Sequence, residues 1–277
     1  EFLVCRVFGP DHQSACTAFA ETIRARLSTP IWIEGQSYQL GASIGVAHWS
    51  GGGEEDLAEA LQNADMALHT AKTVGRNTVL AFTPDMRQRR RKDALLLADA
   101  SRGLHSGEFT AHFQPVLDVK TGQVSGFEAL LRWQHPGRGL LAPDEFLPLC
   151  RAAGLSDALN RALYAEAAGF IRSLRQAGLD TVTISLNLAA PELKAPGTAQ
   201  ALTQVLAAHG ADPAAFRLEV VESTLIEDRS ITIIENLKAL HASGFVLDLD
   251  DFGTGHTAIG NLHRLPISRI KIDQSLI

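Results

Sequence analysis

The spacing of apolar residues changes several times along the 277-residue chain, and each change marks an element. Phe2 to Phe8 is apolar and β-prone, which predicts an opening strand. From about Asp11, Cys16, Phe19, Ala20, Ile23 and Leu27 recur at helical spacing, because 3.6 residues per turn returns such positions to one face. IWIEGQSYQLGASIGVAHW predicts a hairpin turning at Glu34-Gly35-Gln36-Ser37, with a second arm rich in β-branched and aromatic residues. EDLAEALQNADMALHTAKTVGRN predicts a long amphipathic helix ended by Gly75, and TVLAF a short strand. Between Pro84 and Gly107 a further helix carries RQRRRK beside a leucine stripe of Leu95, Leu96, Leu97 and Leu104. Such a basic run is most simply the wet face of a linker helix.

From Phe109 onward strand and helix signals alternate. Strands are predicted over 109–118, 124–131, 181–188, 216–221, 245–250 and 268–272, and helices near 143–153, 156–177, 198–209 and 229–243. The first two strands, joined by Lys120-Thr121-Gly122-Gln123, form a hairpin. The rest repeat as β then α, the pattern of a parallel sheet covered by helices, open or closed into a barrel. An eight-stranded barrel needs two more strands beyond Ile277, and the chain opens abruptly on Glu1-Phe2-Leu3 without Met, so both ends read as cut. The expected organisation is an N-terminal α/β part over 1–83, a linker helix over 84–107 and the strand-helix repeat over 108–277.

Period-two alternation decides which side chains share a strand face. Glu128, Leu130 and Arg132 share one, as do Ser185 and Asn187, Arg217 and Glu219, Asp248 and Asp250, and Arg269, Lys271 and Asp273. Every strand thus ends on a polar or charged residue at the carboxyl end, where parallel α/β folds place their sites. One such residue is ordinarily a loop cap or rim position. The same placement on successive strands points to a site.

Glu128, Glu219, Asp250 and Asp251 would converge there. Two carboxylates about 4 Å apart repel by roughly 4 kcal/mol at an effective dielectric near 20. Either some stay protonated or divalent metal sits among them. With no His or Cys at a strand end, hard-oxygen ligands suit Mg²⁺ or Mn²⁺ better than Zn²⁺. Adjacent Asp250 and Asp251 can reach two ions, an arrangement that activates water for in-line displacement at phosphorus. Lys271 on the same face would orient or help deprotonate that water, and Arg132 would pair with a phosphate.

Composition narrows the partners. A net charge of −6 gives no global attraction to a nucleic-acid polymer or an anionic membrane. Cys5, Cys16 and Cys150 are widely spaced and lack any CxxC, which favours a reduced cytoplasmic chain over a disulfide framework or zinc site. No apolar run approaches the length of a membrane span.

FEALLRW (127–133) with the later PDEF, LNLA (186–189), LEVVES (218–223), DDFGTG (250–255) and KIDQSLI (271–277) resemble, in order and spacing, the motifs of the EAL family of cyclic di-GMP phosphodiesterases. Glu1-Phe2, SIGVA (43–47) and ADMALHTAKTVGRN (64–77) resemble the second half of a GGDEF diguanylate cyclase domain, so a tandem GGDEF–EAL protein is implied. The resemblance implies an α/β fold: an EAL-type modified (β/α)8 TIM barrel, its last strands beyond this chain, preceded by part of a GGDEF domain. It implies hydrolysis of cyclic di-GMP to linear pGpG with two Mg²⁺ or Mn²⁺ ions, and modulation by the GGDEF part with GTP as effector. It also implies a homodimer through the EAL domain and an upstream sensory domain, which would carry any membrane anchor.

By the same resemblance Glu128, Asn187, Glu219 and Asp250 match the metal ligands, with Asp251 at the second ion. Lys271 matches the lysine near the attacking water, Asp273 the acid beside it, and Glu222 the glutamate that steadies the DDFGTG loop. Gln114, Leu130 and Arg132 match substrate-lining positions, and Lys72 and Arg76 match residues facing nucleotide phosphates. His256-Thr257 replace the family's Tyr-Ser, and Asp248 stands where a small uncharged residue is common, so it needs a partner that Arg217 or Arg269 can supply. Gly253 and Gly255 would let the loop bend back over the site. The alternative is a cyclic di-GMP receptor or GTP-gated scaffold without turnover, which lost ligands would mark; none of the visible ones is lost.

Overall fold

The structure, a computed structural model, describes residues 2–9, 12–227, 231–253 and 265–276. Gly255, His256 and Thr257 lie outside the described residues. The chain divides into two compact units, Glu1–Leu96 and Leu97–Ile277. Among the described residues, no helix is long and apolar enough to cross a membrane.

The first unit contains α1 (His12–Leu27), β1 (Ile31–Ile33), β2 (Gln36–Tyr38), β3 (Ile44–Val46), α2 (Glu54–Thr73), β4 (Val79–Ala81) and the first half of α3 (Pro84–Ser106). Phe2 to Phe8 forms no strand, and Phe2, Leu3, Val4 and Val7 are exposed. β-propensity forms a strand only where a partner offers its backbone groups. The hairpin is shorter than expected. Its two arms are β1 and β2, turning on Glu34 and Gly35, both at positive φ, the geometry that matches the twist of paired strands. SIGVA is not its second arm, because β3 leaves the hairpin and pairs in parallel with β4, Ile44 opposite Val79. Gly45 permits that placement: a Cβ there would overlap the Ala64 carbonyl oxygen and the Leu68 nitrogen of α2. Within RQRRRK, Arg87 bonds Glu59 at 2.6 Å and Arg90 lies 3.7 Å from Asp65, so part of the basic run is tied to α2.

The second unit holds β5 (Phe109–Leu117), β6 (Val124–His135), β7 (Gly139–Leu141), α4 (Pro143–Ala152), α5 (Ser156–Gln176), β8 (Thr183–Asn187), α6 (Ala190–Lys194), α7 (Thr198–Ala208), β9 (Phe216–Val221), α8 (Glu222–Glu227), α9 (Ile231–Ala242), β10 (Val246–Phe252) and β11 (Ile267–Ile272). The described strands form one sheet in the order β11-β10-β9-β8-β6-β5, with β7 also paired to β6. β5, β6 and β7 are antiparallel neighbours, while β6, β8, β9, β10 and β11 run parallel. The β5–β6 turn forms because Asp118 Oδ1 accepts from the Lys120 and Thr121 amides and Gly122 takes positive φ. β6 runs past the expected residue 131 because β7 folds back on it, Trp133 opposite Leu141. β7, α6 and α8 went unpredicted, each too short for its periodicity to register.

Alternation sorts the two faces of the parallel strands. Ile184, Leu186, Phe216, Leu218, Val220, Leu247 and Leu249 are fully buried on one face, where α5, α7 and α9 contribute Leu159, Leu206 and Leu237. Trp133 is fully buried, stacked at 4.9 Å on Phe109, and donates from Nε1 to Glu108 at 2.9 Å. The opposite face receives the polar members of the same strands. The apolar layer therefore fixes the strand orientation that aims the charges.

Candidate active site

The polar face gathers at Lys271. Its Nζ donates to Glu219 Oε2 at 2.6 Å and lies 3.5 Å from Glu128 Oε2 and 3.3 Å from Asp250 Oδ2. Asn187 Nδ2 donates to Glu128 Oε1 at 2.9 Å. Four parallel strands and the hairpin strand β6 thus bring Glu128, Asn187, Glu219, Asp250 and Lys271 into one cluster. Residues distant by as many as 143 positions touch only because strand register sets them at one level.

Burial and charge set the protonation behaviour. Glu219 is only 3% exposed, and that burial pushes its carboxyl above the usual range, against the opposing pull of Lys271. Burial works against the Lys271 charge, yet the bond and charge of Glu219, with Glu128 and Asp250, outweigh it and hold the ammonium well above the ordinary lysine value. Burial raises Asp251 as well, reinforced by Asp250 and Asp273.

Asp251 follows from a local backbone departure. It has φ 53°, and its amide donates to Asp250 Oδ1 at 3.0 Å, so the pair turns apart at the strand end. Beyond it, the Gly253 amide, at φ 100°, donates to Glu222 Oε2 at 2.8 Å. Glu222 is 1% exposed and opens α8, directly after β9. A buried carboxylate thus holds the Gly253 backbone just after the paired aspartates.

The other expected positions are placed as follows. Gln114 is exposed on β5, opposite Glu128 in register. Leu130 and Arg132 share the Glu128 face of β6, and Arg132 Nη1 donates to the Leu131 carbonyl at 2.8 Å. Asp273 Oδ1 accepts the Ser275 amide at 2.8 Å, which caps the turn 274–276 and lowers its carboxyl below the usual range. Lys72 stands in the last turn of α2 and Arg76 just beyond it at φ 56°, both in the first unit.

The spare carboxylate Asp248 is 1% exposed, and it takes both arginines rather than one. Arg269 Nη2 donates to Oδ2 at 3.0 Å and Arg217 Nε lies 3.4 Å from the same oxygen. Burial still raises its carboxyl, with Arg217 opposing.

Among the described residues, no three or more His, Cys, Asp or Glu side chains are disposed to hold a metal ion. The donor set nevertheless suits one. Three carboxylates already crowd a single cationic atom, the Lys271 Nζ, and all offer hard oxygens.

A family model described as EAL domain matches residues 97–277, and one described as diguanylate cyclase, GGDEF domain, matches residues 2–78. Cyclic di-GMP phosphodiesterase NbdA of Pseudomonas aeruginosa is 32% identical over 279 residues, covering 100% of this chain and 35% of that protein. MucR of the same organism, a bifunctional diguanylate cyclase/cyclic di-GMP phosphodiesterase, is 35% identical over 260 residues, covering 93% of this chain and 37% of that protein. The chain therefore spans little more than a third of the length of these relatives. A solved structure of the MucR phosphodiesterase in complex with cyclic di-GMP is similar with TM-score 0.62 and 35% identity, covering 65% of this chain and 73% of that one.

Proposed function

Because the chain belongs to the EAL domain family, with part of a GGDEF domain ahead of it, we propose that its parent protein hydrolyses cyclic di-GMP to linear pGpG in a metal-dependent reaction. The observation that carries this reading is the convergence of Glu128, Glu219 and Asp250 on one cationic atom at the carboxyl ends of the strands. The relatives named for this activity support the choice of substrate.

In this reading Glu128, Asn187, Glu219 and Asp250 hold one Mg²⁺ or Mn²⁺ ion, and Asp251 reaches a second. Bound divalent ions supply charge neutralisation at the phosphoryl oxygens and lower the cost of deprotonating water. Lys271 orients the attacking water. Attack forms a new P–O bond and breaks the P–O3′ bond, and the leaving 3′ oxygen takes up a proton, so one phosphodiester opens and the 5′-phosphate stays on the product. Arg132, with Gln114 and Leu130, lines the substrate, and its guanidinium must exchange the Leu131 carbonyl for phosphate to do so. Glu222 keeps the loop after Asp251 in place, and Asp273 orders the turn after Lys271. Lys72 and Arg76 face nucleotide phosphates in the GGDEF part, through which GTP modulates turnover. Residues 1–83, 84–107 and 108–277 are the corresponding GGDEF part, linker helix and EAL domain. The protein works in the cytoplasm as a homodimer.

The test is chromatographic. The full-length protein, incubated with cyclic di-GMP and Mn²⁺ with and without GTP, should form pGpG, and Glu128→Ala should abolish it. Tight binding with no product at saturating metal would overturn the enzyme reading in favour of a receptor.

A further inference from the structure

β11 carries Lys271, yet its backbone pairing to β10 is interrupted twice. Register shifts fall between Leu247 and Asp248 and again between Leu249 and Phe252. The regular stretch between them is two residues long, Asp248 opposite Arg269 and Leu249 opposite Ile270. The second shift contains Asp251 at φ 53°, the extra residue of a bulge. Backbone hydrogen bonds therefore constrain the position of β11 weakly. The side chains in that stretch constrain it strongly: Arg269 donates to Asp248 Oδ2 through Nε at 3.2 Å and Nη2 at 3.0 Å. Arg217, from β9, approaches the same oxygen at 3.4 Å.

We propose that Asp248, clamped between Arg217 and Arg269, is a positioning residue that sets the register of β11 and so places Lys271 over Glu219, Glu128 and Asp250. The inference rests on the phosphodiesterase reading for its kinetic consequence alone. Arg217, Asp248 and Arg269 lie two residues before Glu219, Asp250 and Lys271 respectively, one pleat deeper on the same faces. A one-residue slip of β11 would turn Lys271 to the opposite face. Stability alone is a poor reason for the residue: Asp248 Oδ1 and Arg217 Nε are buried with no hydrogen-bond partner among the described residues, and an unmet buried polar atom is costly. A small apolar residue would avoid that cost but leave β11 untied.

The full-length protein tests this in two ways. Acetic anhydride labelling in EDTA, read by mass spectrometry against the exposed Lys120, reports how firmly Lys271 is held. Labelling of Lys271 should be several-fold faster in Asp248→Ala and in Arg269→Gln, with Arg269→Lys in between. Arg269 is half exposed, so its variants should keep the fold if Asp248→Ala does not. Unchanged labelling in folded Arg269→Gln would overturn the proposal. In turnover, Arg269→Gln should lower kcat with KM unchanged, and add no loss in a Lys271→Ala background; an equal further loss there would also overturn it. Faster Lys271 labelling in the variants, with a wild-type protein that shows no turnover, would remove the phosphodiesterase reading and leave the clamp standing.

Discussion

Replacing Glu222 by Ala probes how the paired aspartates are held. In the structure a carboxylate 1% exposed accepts the Gly253 amide at 2.8 Å, and Gly253 follows Asp251 by two residues. A hydrogen bond to a charged acceptor is worth about 1.5–3 kcal/mol, and a neutral one about 0.5–1.5 kcal/mol. If that bond keeps the loop in its competent position, its loss should lower kcat by roughly 10- to 150-fold, at 1.36 kcal/mol per tenfold. Glu222→Gln keeps an acceptor oxygen and should lose about tenfold or less. The assay is pGpG formation by the full-length protein at saturating Mn²⁺, with thermal midpoints recorded to confirm that each variant is folded. A kcat for folded Glu222→Ala within twofold of wild type would refute the reasoning, as would a Gln variant as slow as Ala.

Two further outcomes concern the fold. Gly45→Ala should destabilise the first unit by about 2 kcal/mol or more, because its methyl overlaps α2 backbone atoms that cannot move aside, and the unfolding midpoint should fall; an unchanged midpoint would contradict the close approach of β3 to α2. Glu192 accepts from Asn160 at 2.5 Å, Tyr164 at 2.9 Å and the Ala189 amide at 2.9 Å, yet burial raises its carboxyl above its ordinary 4.5. The native state then binds the proton more tightly than the unfolded chain, so this stabilisation is full below the ordinary value and is lost as pH rises through the raised one. Denaturation midpoints of wild type should fall more between pH 4 and pH 7 than those of Glu192→Gln, and parallel curves would contradict the assignment.

Much of the site was legible in the sequence because a strand has a period of two. That period identified Glu128, Asn187, Glu219, Asp250 and Lys271 as polar residues at the carboxyl ends of apolar strands, and the motifs around them carried the family. The family resemblance also marked Asp248 as a carboxylate in want of a cation. What the period does not encode is which strand lies beside which, or at what stagger. SIGVA reads equally well as a hairpin arm and as a parallel partner of β4, and only the fit of α2 over Gly45 decides between them. Phe2 to Phe8 has strand composition without a strand, because pairing belongs to the neighbour as much as to the segment. Likewise, the sequence supplied Arg217 and Arg269 as alternatives, and the tertiary structure uses both because β10 lies between β9 and β11. Local pattern determined the identity and direction of the charged side chains; the order and register of the sheet determined which of them meet, since contacts across as many as 143 residues depend on how the strands pair.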